Sequence, residues 1–368
     1  MIINPRLRHR LRWIGQLLRP PSTAVIGGYH YGNLGDMALG ASVIEQLGKA
    51  GSRDAGLQTI YNLGNWPKVP RAILGGGAIG YSGPMDAVLA RYASMPERVG
   101  VLGVDFNEKN YPDDVLSFLS KAAWVGCRSR SQADRLVSLT GRADILDHPD
   151  IAFALHRDFC VNHRDRRALA DGRSPRILAV NAVPIYGEMR KGGLVTGEAF
   201  REERPEIYAS FATLHQRYQR FLTGAVDYYR SKGWQAVSVA FSPSDEAYAR
   251  MVFGNTIRHR PYDPDPGPML RFLSGCGMLL ATRFHATIFG IKLGLPLIPF
   301  AYATKNELLL AGAGVPSGSY VTPGRLLSEA SVPLPDPVTL GDELSGALER
   351  EACDAINRCI TSLDNPQP

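Results

Sequence analysis

The sequence predicts an α/β protein that is built from two doubly wound, Rossmann-like domains. The chain has 368 residues, which is more than one hydrophobic core usually supports, and 45% of them are hydrophobic, which is enough for two cores. In both halves, short apolar runs alternate with segments of helical periodicity. Such alternation is typical of a parallel sheet that is covered by helices on both faces.

Residues 21–157 are predicted to form the first of these domains. Its helical segments are expected at 36–49, 84–94, 112–121 and 130–139, and its strand-like runs are Thr23–Gly28, Gln58–Leu63, Arg71–Leu74, Val99–Val104 and Trp124–Cys127. The stretch 158–174 is polar and shows no periodicity, so we interpret it as a linker between the two domains.

Residues 175–332 are predicted to form the second domain. Helices are expected at 206–231, 244–253, 266–274 and 285–294, and strands at Arg176–Asn181, Gln235–Phe241, Thr256–Arg258, Met278–Ala281 and Pro296–Phe300. The remaining residues, 333–368, comprise a proline-rich connector and a closing helix over 339–363, which is expected to cross back to the first domain.

The first 20 residues predict a basic amphipathic segment. Between residues 5 and 19, leucine and isoleucine recur at a spacing that places them on one face of a helix. This face comprises Leu7, Leu11, Ile14 and Leu18, and the arginines around it are Arg6, Arg8, Arg10, Arg12 and Arg19. Such a helix lies on an anionic membrane surface or docks onto the protein's own domain, and the sequence leaves both interpretations open.

Composition narrows the class of protein further. No run reaches the eighteen or so apolar residues that a membrane span needs, and the start lacks the apolar core of a secretory signal. The five cysteines are scattered without a CxxC motif, so we expect neither a disulfide framework nor a zinc site, and we expect a cytoplasmic location. The formal net charge is +6, but the basic residues do not interleave with stacking aromatics, which argues against nucleic acid as a partner.

The most informative motif is Thr282–Ala286, between the apolar run Met278–Ala281 and a helical segment. It places a fixed cation, Arg283, and a titratable group, His285, where a strand ends and a helix begins. Open α/β sheets bind ligands at such junctions, and the first turn of a helix attracts anions. The motif therefore predicts an anion site, with the alternative that Arg283 pairs with an acidic residue and His285 caps the helix.

A second motif, Gly27–Asp36, follows the apolar run Ala24–Ile26. The glycines allow a ligand to approach the backbone closely, and Asn33 or Asp36 can cap the following helix. The spacing matches neither the dinucleotide-binding GxGxxG pattern nor the phosphate-binding GxxxxGK[ST] pattern.

Together with these motifs, several segments in sequence order resemble the polysaccharide pyruvyl transferase family over roughly residues 22–315. The matching segments are Gly32–Asp36, Ile73–Ile79, Val125–Ser131, Asp147–Ala152, Thr282–Ala286, Gly294–Pro296 and Tyr302–Lys305. The resemblance implies a GT-B-like fold, in which the two domains face each other across a cleft. It also implies transfer of a pyruvyl group from phosphoenolpyruvate to a sugar of a polysaccharide or lipid-linked glycan, as a cyclic ketal.

The donor's phosphate and carboxylate call for several cations. We expect Arg283 and Arg128 to bind it, followed by Lys305 and Arg130, although Arg128 also suits a solvated helix start and Lys305 an ordinary surface position. Among the glycines after the third strand, Gly76 and Gly77 are expected to let the backbone approach the substrate, with a plain tight turn as the alternative.

Proton transfer calls for an acid and a base. His285 is the expected acid, and Asp36 is expected to accept a proton from a sugar hydroxyl or to hydrogen-bond the sugar, with His30 in reserve. Asn33 is expected among the substrate-binding residues, and Asp150 is interpreted as a turn cap. In the loop 182–200, Tyr186 is expected to stack on the acceptor sugar.

The chemistry requires no metal and no cofactor beyond the donor substrate. The resemblance further implies an acceptor carried on a polyprenyl lipid, which suits a protein that lies peripherally on the inner face of the plasma membrane. Two alternatives stay open: a glycosyltransferase that uses a nucleotide sugar, with Glu307 as a ribose ligand, and a non-catalytic scaffold for glycan biosynthesis.

Overall fold

The computed structural model describes residues 11, 14–16, 18–30, 32–52, 54–106, 108, 110–155, 176–198, 200–203 and 205–365. The chain forms two compact units. The first unit comprises residues 1–156, 264–266 and 346–368, and the second comprises residues 157–263 and 267–345. The predicted linker, 158–174, lies outside the described residues.

The first unit contains a six-stranded parallel sheet. Its strands are β1 Thr23–Gly27, β2 Ala55–Thr59, β3 Arg71–Gly77, β4 Val99–Val104, β5 Trp124–Cys127 and β6 Leu146–Asp147, and the helices between them are α1 Leu34–Lys49, α2 Ser82–Tyr92, α3 Asp113–Lys121 and α4 Arg130–Thr140. The strands lie in the order β2-β1-β3-β4-β5-β6. This order reverses between β1 and β3, so their carboxyl ends form a topological switch point, where open sheets bind ligands.

The second unit contains a five-stranded parallel sheet and an antiparallel hairpin. The strands are β7 Ile177–Val180, β8 Gly187–Arg190, β9 Gly193–Thr196, β10 Gln235–Val239, β11 Arg258–Arg260, β12 Met278–Ala281 and β13 Leu297–Pro299. The parallel sheet has the order β11-β10-β7-β12-β13, with its switch point between β7 and β12, and the hairpin β8–β9 follows β7. The helices are α5 Phe200–Glu203, α6 Pro205–Ala209, α7 Phe211–Ser231, α8 Pro243–Phe253, α9 Pro266–Ser274, α10 Phe284–Lys292, α11 Thr304–Gly312 and α12 Pro323–Ser328.

One buried side chain, Tyr29, explains several glycines near the first motif. Its ring is fully buried, and its hydroxyl donates a hydrogen bond to the carbonyl oxygen of Gly75 at 2.8 Å. A Cβ atom added to Gly27, Gly40 or Gly75 would lie 2.6, 2.9 or 2.2 Å from this side chain. These three glycines therefore make room for the tyrosine, and Gly75 serves packing.

The final helix is α13, Asp342–Asp364. Its residues from Gly346 onward belong to the first unit and pack against the first sheet. Ile356, Cys359 and Leu363 are buried there. A Cβ atom on Gly100 of β4 would lie 2.3 Å from the Cys359 sulfur, so a glycine allows the helix to approach the strand closely. Within the part of the chain that the structure describes, no helix combines the length and apolar composition needed to cross a membrane.

Candidate functional site

Asn33 and Asp36 lie at the switch point of the first sheet, where β1 leads into α1. Asn33 caps the helix, because its Oδ1 atom accepts a hydrogen bond from the Gly35 backbone N–H at 2.9 Å. Its Nδ2 atom donates to Asp36 Oδ2 at 2.7 Å. Of the two possible caps in the motif, Asn33 is the one that forms, and it also orients the Asp36 carboxylate.

Glycines border this carboxylate. A Cβ atom on Gly28 would lie 3.0 Å from Asp36 Oδ2, and one on Gly77 would lie 3.5 Å from Asp36 Oδ1. Gly76 and Gly77 have φ angles of +87° and +100°, a conformation that side chains disfavour. The backbone at the end of β3 therefore requires glycine, and the surface next to Asp36 is free of side chains at these positions.

His30 lies in the loop between β1 and α1 and is partly exposed. Its Nδ1 atom accepts a hydrogen bond from the Gly32 backbone N–H at 2.8 Å, and partial burial of the ring lowers its pKa. The imidazole is therefore neutral at pH 7, with the proton on Nε2.

Arg128, between β5 and α4, is held by two carboxylates. Its Nε atom donates to Asp105 Oδ1 at 2.9 Å, a second bond joins Nη2 to the same carboxylate, and Nη1 donates to Asp150 Oδ2 at 2.5 Å. Burial disfavours its charge, but both carboxylates outweigh this effect and raise its pKa. Only 7% of the side chain is exposed, so the contacts favour a structural role, and donor binding by Arg128 stays a prediction.

Asp150 has the capping role that the sequence indicates. Its Oδ1 atom accepts a hydrogen bond from the Ala152 backbone N–H at 2.9 Å at the start of the short helix Ile151–Ala154. Arg130, two residues after Arg128, is exposed and pairs with Asp134 and Asp147 on the surface.

Arg283 lies at the switch point of the second sheet, where β12 leads into α10. Its backbone N–H donates to Asn181 Oδ1 at 2.8 Å, and Asn181 Nδ2 donates to the Val239 carbonyl at 3.1 Å. Asn181 therefore connects the carboxyl ends of β7, β10 and β12. Asn306 Nδ2 adds a 3.2 Å bond to the carbonyl of Thr282, which fixes the start of α11 against the same junction.

The guanidinium of Arg283 pairs with Asp245, a fully buried residue in the first turn of α8. Nη2 lies 2.5 Å from Asp245 Oδ1 and 3.2 Å from Ser242 Oγ. Burial opposes the charge, but Asp245 and Tyr302 outweigh it and raise the pKa of Arg283. The alternative of an acidic partner is thus correct, yet 30% of the Arg283 side chain stays exposed, so a ligand can still reach it.

His285 and Lys305 lie beside the ring of Phe284, the residue that directly follows Arg283. The His285 ring, which is 8% exposed, meets the Phe284 ring edge to face with 5.4 Å between centroids. Lys305 is exposed, and its Nζ atom lies 5.1 Å from the centroid of the same ring. The second unit therefore brings two cations and an imidazole to the carboxyl ends of the neighbouring strands β12 and β13, an arrangement suited to an anion. Their roles in binding and catalysis stay predictions.

Tyr186 does not have the position that sugar stacking requires. Its ring is 8% exposed and packs against Phe200 and Tyr302, and its hydroxyl donates to the Tyr302 carbonyl. The prediction that Tyr186 stacks on an acceptor is therefore wrong, because the ring belongs to the core of the second unit.

Sequence reasoning missed Asp245, although a signal for its position exists. Ser242 and Asp245 follow strand β10 with the S-x-x-D spacing of a capping box. In the structure Ser242 Oγ accepts from the Asp245 N–H at 3.1 Å, and Asp245 Oδ2 accepts from the Phe241 N–H at 3.1 Å. The spacing marks a helix start, but nothing local indicates that Asp245 pairs with Arg283.

Comparison with known proteins agrees with this architecture. A S. aureus MnaA structure with UDP is similar to this chain with a TM-score of 0.52 and 11% identity, over 94% of this chain and 97% of that one. A UDP-N-acetylglucosamine 2-epimerase is similar with a TM-score of 0.50 and 12% identity, over 93% and 95% of the two chains. At these identities the likeness concerns the fold alone, and it confirms the GT-B-like class with two parallel-sheet α/β domains.

No curated protein matches the sequence. The family model for polysaccharide pyruvyl transferase matches residues 33–304, which is most of the chain and includes Asn33, Asp36, Arg128 and the Arg283–His285 motif. The protein therefore belongs to the polysaccharide pyruvyl transferase family, as the motifs predict.

Proposed function

We propose that the protein transfers a pyruvyl group from phosphoenolpyruvate to a sugar of a polysaccharide or lipid-linked glycan, and that the product is a cyclic ketal. Membership in the family supports pyruvyl transfer. The observation that carries the donor assignment is the group of Arg283, His285 and Lys305 at the carboxyl ends of the neighbouring strands β12 and β13. Phosphoenolpyruvate has a phosphate and a carboxylate, and two cations beside helix starts complement a ligand with two anionic groups.

The reaction balances without a further cofactor. A proton added to the methylene carbon of phosphoenolpyruvate forms the methyl group and leaves a cationic carbon, which one sugar hydroxyl attacks. The bond to the phosphate oxygen then breaks, its electron pair leaves with phosphate, and a neighbouring hydroxyl attacks the same carbon. One of the two hydroxyl protons replaces the proton given to the methylene, and the other leaves with phosphate.

In this proposal each residue has a defined task. Arg283, held in orientation by Asp245, binds the donor through the exposed part of its fork, and Lys305 adds a mobile positive charge. His285 delivers the proton to the methylene carbon. Asp36, oriented by Asn33, accepts the proton of the attacking hydroxyl.

Phosphate release from phosphoenolpyruvate tests the proposal. Purified protein is mixed with galactose-, glucose- and mannose-terminated oligosaccharides, and released phosphate and the new methyl group are followed by colorimetry and proton NMR. We expect release that depends on one class of acceptor, together with thermal stabilisation by phosphoenolpyruvate. Stabilisation by a nucleotide sugar, without any response to phosphoenolpyruvate, would instead support a glycosyltransferase.

We also propose that the protein lies peripherally on an anionic, cytoplasmic membrane surface through residues 5–19. The apolar side chains Leu11, Ile14 and Leu18 are 51%, 50% and 82% exposed. Gln16, on the opposite side of the helical turn, faces the protein, since its Oε1 atom would lie 2.7 Å from a Cβ on Gly56. The arginines of this segment complement an anionic surface in charge; most of them lie outside the described residues.

Sedimentation with lipid vesicles tests this contact. Replacing Leu11, Ile14 and Leu18 together by serine is expected to lower the fraction bound to phosphatidylglycerol vesicles about tenfold, because the apolar face no longer inserts. The matched control is Leu139→Ser, which changes an exposed leucine of α4. Equal binding of the triple variant and the wild type, or equal binding to neutral phosphatidylcholine vesicles, would contradict the proposal.

A further inference from the structure

Two exposed tyrosines accompany Asp36 at the carboxyl edge of the first sheet. Tyr61 lies in the short helix Ile60–Asn65 that directly follows β2, and Tyr81 directly precedes α2, after β3. Because β2, β1 and β3 are neighbours in a parallel sheet, the segments that follow them meet at one edge. The sheet order thus gathers both tyrosines around the start of α1, whose first turn carries Asp36.

The Tyr61 hydroxyl and the Asp36 carboxylate both border Gly28. A Cβ atom built on Gly28 would lie 3.5 Å from the Tyr61 hydroxyl and 3.0 Å from Asp36 Oδ2. The His30 ring covers one side of Tyr61, with 5.7 Å between centroids and 44° between planes. Partial burial of the Tyr61 hydroxyl, followed by the negative charge of Asp36 and the nearby Tyr81, raises the pKa of Tyr61. The hydroxyl therefore keeps its proton and can donate a hydrogen bond.

The exposure of these rings distinguishes them from other tyrosines of the unit. Tyr61 and Tyr81 are 57% and 43% exposed, whereas Tyr29, Tyr92 and Tyr111 are buried in the core. A tyrosine presents a large apolar face and a polar tip at a low cost in conformational entropy, which suits it to bind a ligand that is apolar on one face and polar at its rim. A pyranose ring is such a ligand, since its C–H groups cover a face and its hydroxyls surround it.

We propose that Tyr61 and Tyr81 form the platform on which the acceptor pyranose binds, with its reacting hydroxyl directed to Asp36. This inference rests on the proposed function and assigns the acceptor subsite to the first unit. Gly28 and Gly77 contribute by having no side chain, since a Cβ on either would lie close to the carboxylate that the hydroxyl must reach. In this proposal Tyr61 and Tyr81, and not Tyr186, stack on the acceptor sugar.

Steady-state kinetics with the acceptor that supports phosphate release tests the platform. Tyr61→Ala is expected to raise the acceptor KM about three- to tenfold, the effect of losing one aromatic contact, and to leave the KM for phosphoenolpyruvate within about twofold of the wild type. Tyr61→Phe keeps the ring and is expected to retain most of the acceptor affinity. Tyr81→Ala is expected to act in the same direction as Tyr61→Ala. Tyr228→Ala, which removes a 45% exposed tyrosine of the second unit, is the matched control and is expected to change neither KM.

A direct binding experiment tests sugar binding by the platform independently of the transfer reaction. Saturation-transfer NMR with the same oligosaccharides, without phosphoenolpyruvate, is expected to show sugar contacts in the wild type that Tyr61→Ala loses. An active wild type with an unchanged acceptor KM in Tyr61→Ala and in the Tyr61→Ala/Tyr81→Ala double variant would overturn the platform and leave the proposed function intact. Sugar binding that depends on Tyr61, without any phosphate release, would overturn the proposed function and leave the platform intact. No saturation transfer to any sugar would overturn the platform.

Discussion

Arg283→Lys is expected to lower kcat/KM for phosphoenolpyruvate by about 10²- to 10³-fold, the loss that follows when one preorganised donor is removed from developing charge. Lysine keeps the positive charge opposite the buried Asp245, so the second unit is expected to stay folded. Lysine lacks the planar fork by which Arg283 bonds Asp245 and Ser242 together while 30% of its side chain stays exposed. The measurement is acceptor-dependent phosphate release at varied donor concentration, with the folded state checked by circular dichroism.

The matched control for this prediction is Arg325→Lys. Arg325 belongs to the same unit and pairs with Glu329 at 2.8 Å, and its side chain is 29% exposed, close to the 30% of Arg283. We expect this control to react at the wild-type rate. Wild-type donor kinetics in Arg283→Lys would exclude Arg283 from donor binding and would leave its pair with Asp245 as a structural feature.

Arg128→Ala is expected to lower the free energy of unfolding by about 3–5 kcal/mol, the usual effect of removing one partner from a buried ion pair. The variant leaves two carboxylates together without a cation. The side chains of Asp150 and Asp105 are only 2% and 13% exposed, so water cannot replace the guanidinium well. Urea denaturation followed by tryptophan fluorescence measures the change.

Two further variants make this prediction specific. Arg130→Ala removes a 76% exposed arginine that pairs on the surface, and a change of about 0–1 kcal/mol is expected. Arg128→Met combined with Asp105→Asn and Asp150→Asn is expected to recover part of the lost stability, because no buried charge is left uncompensated. A stable Arg128→Ala protein with a raised KM for phosphoenolpyruvate would instead support the donor-binding role that the sequence predicts.

The alternation of strands and helices was readable from sequence because it depends on local periodicity. The helix predicted over 206–231 is, however, divided at Ser210 into α6 and α7. The loop 182–200 contains the hairpin β8–β9, whose strands are only four residues long each. Short strands of this kind carry too few residues for a period-2 pattern to stand out.

The tyrosines show where sequence reasoning about the site fails. Tyr186 lies in a polar stretch and suggested an exposed ring, yet the fold buries it between Phe200 and Tyr302. Tyr61 falls within the run Gln58–Leu63, which the sequence predicts as a strand, and gave no such signal, yet it lies in a short helix and is 57% exposed. The exposure of a side chain depends on what other segments cover it, and the local sequence does not contain that information.

By itself, the sequence determined the two parallel-sheet domains, the family, and the positions of the Gly27–Asp36 and Thr282–Ala286 motifs at strand ends, because periodicity, glycine placement and motif order are local properties. Only the tertiary structure decided which groups meet these residues. Arg283 and Asp245 are 38 residues apart in the chain, and Arg128 lies 23 and 22 residues from Asp105 and Asp150. These partners meet because the strand order of each sheet places the ends of different strands side by side, and that order is set by the packing of the whole unit.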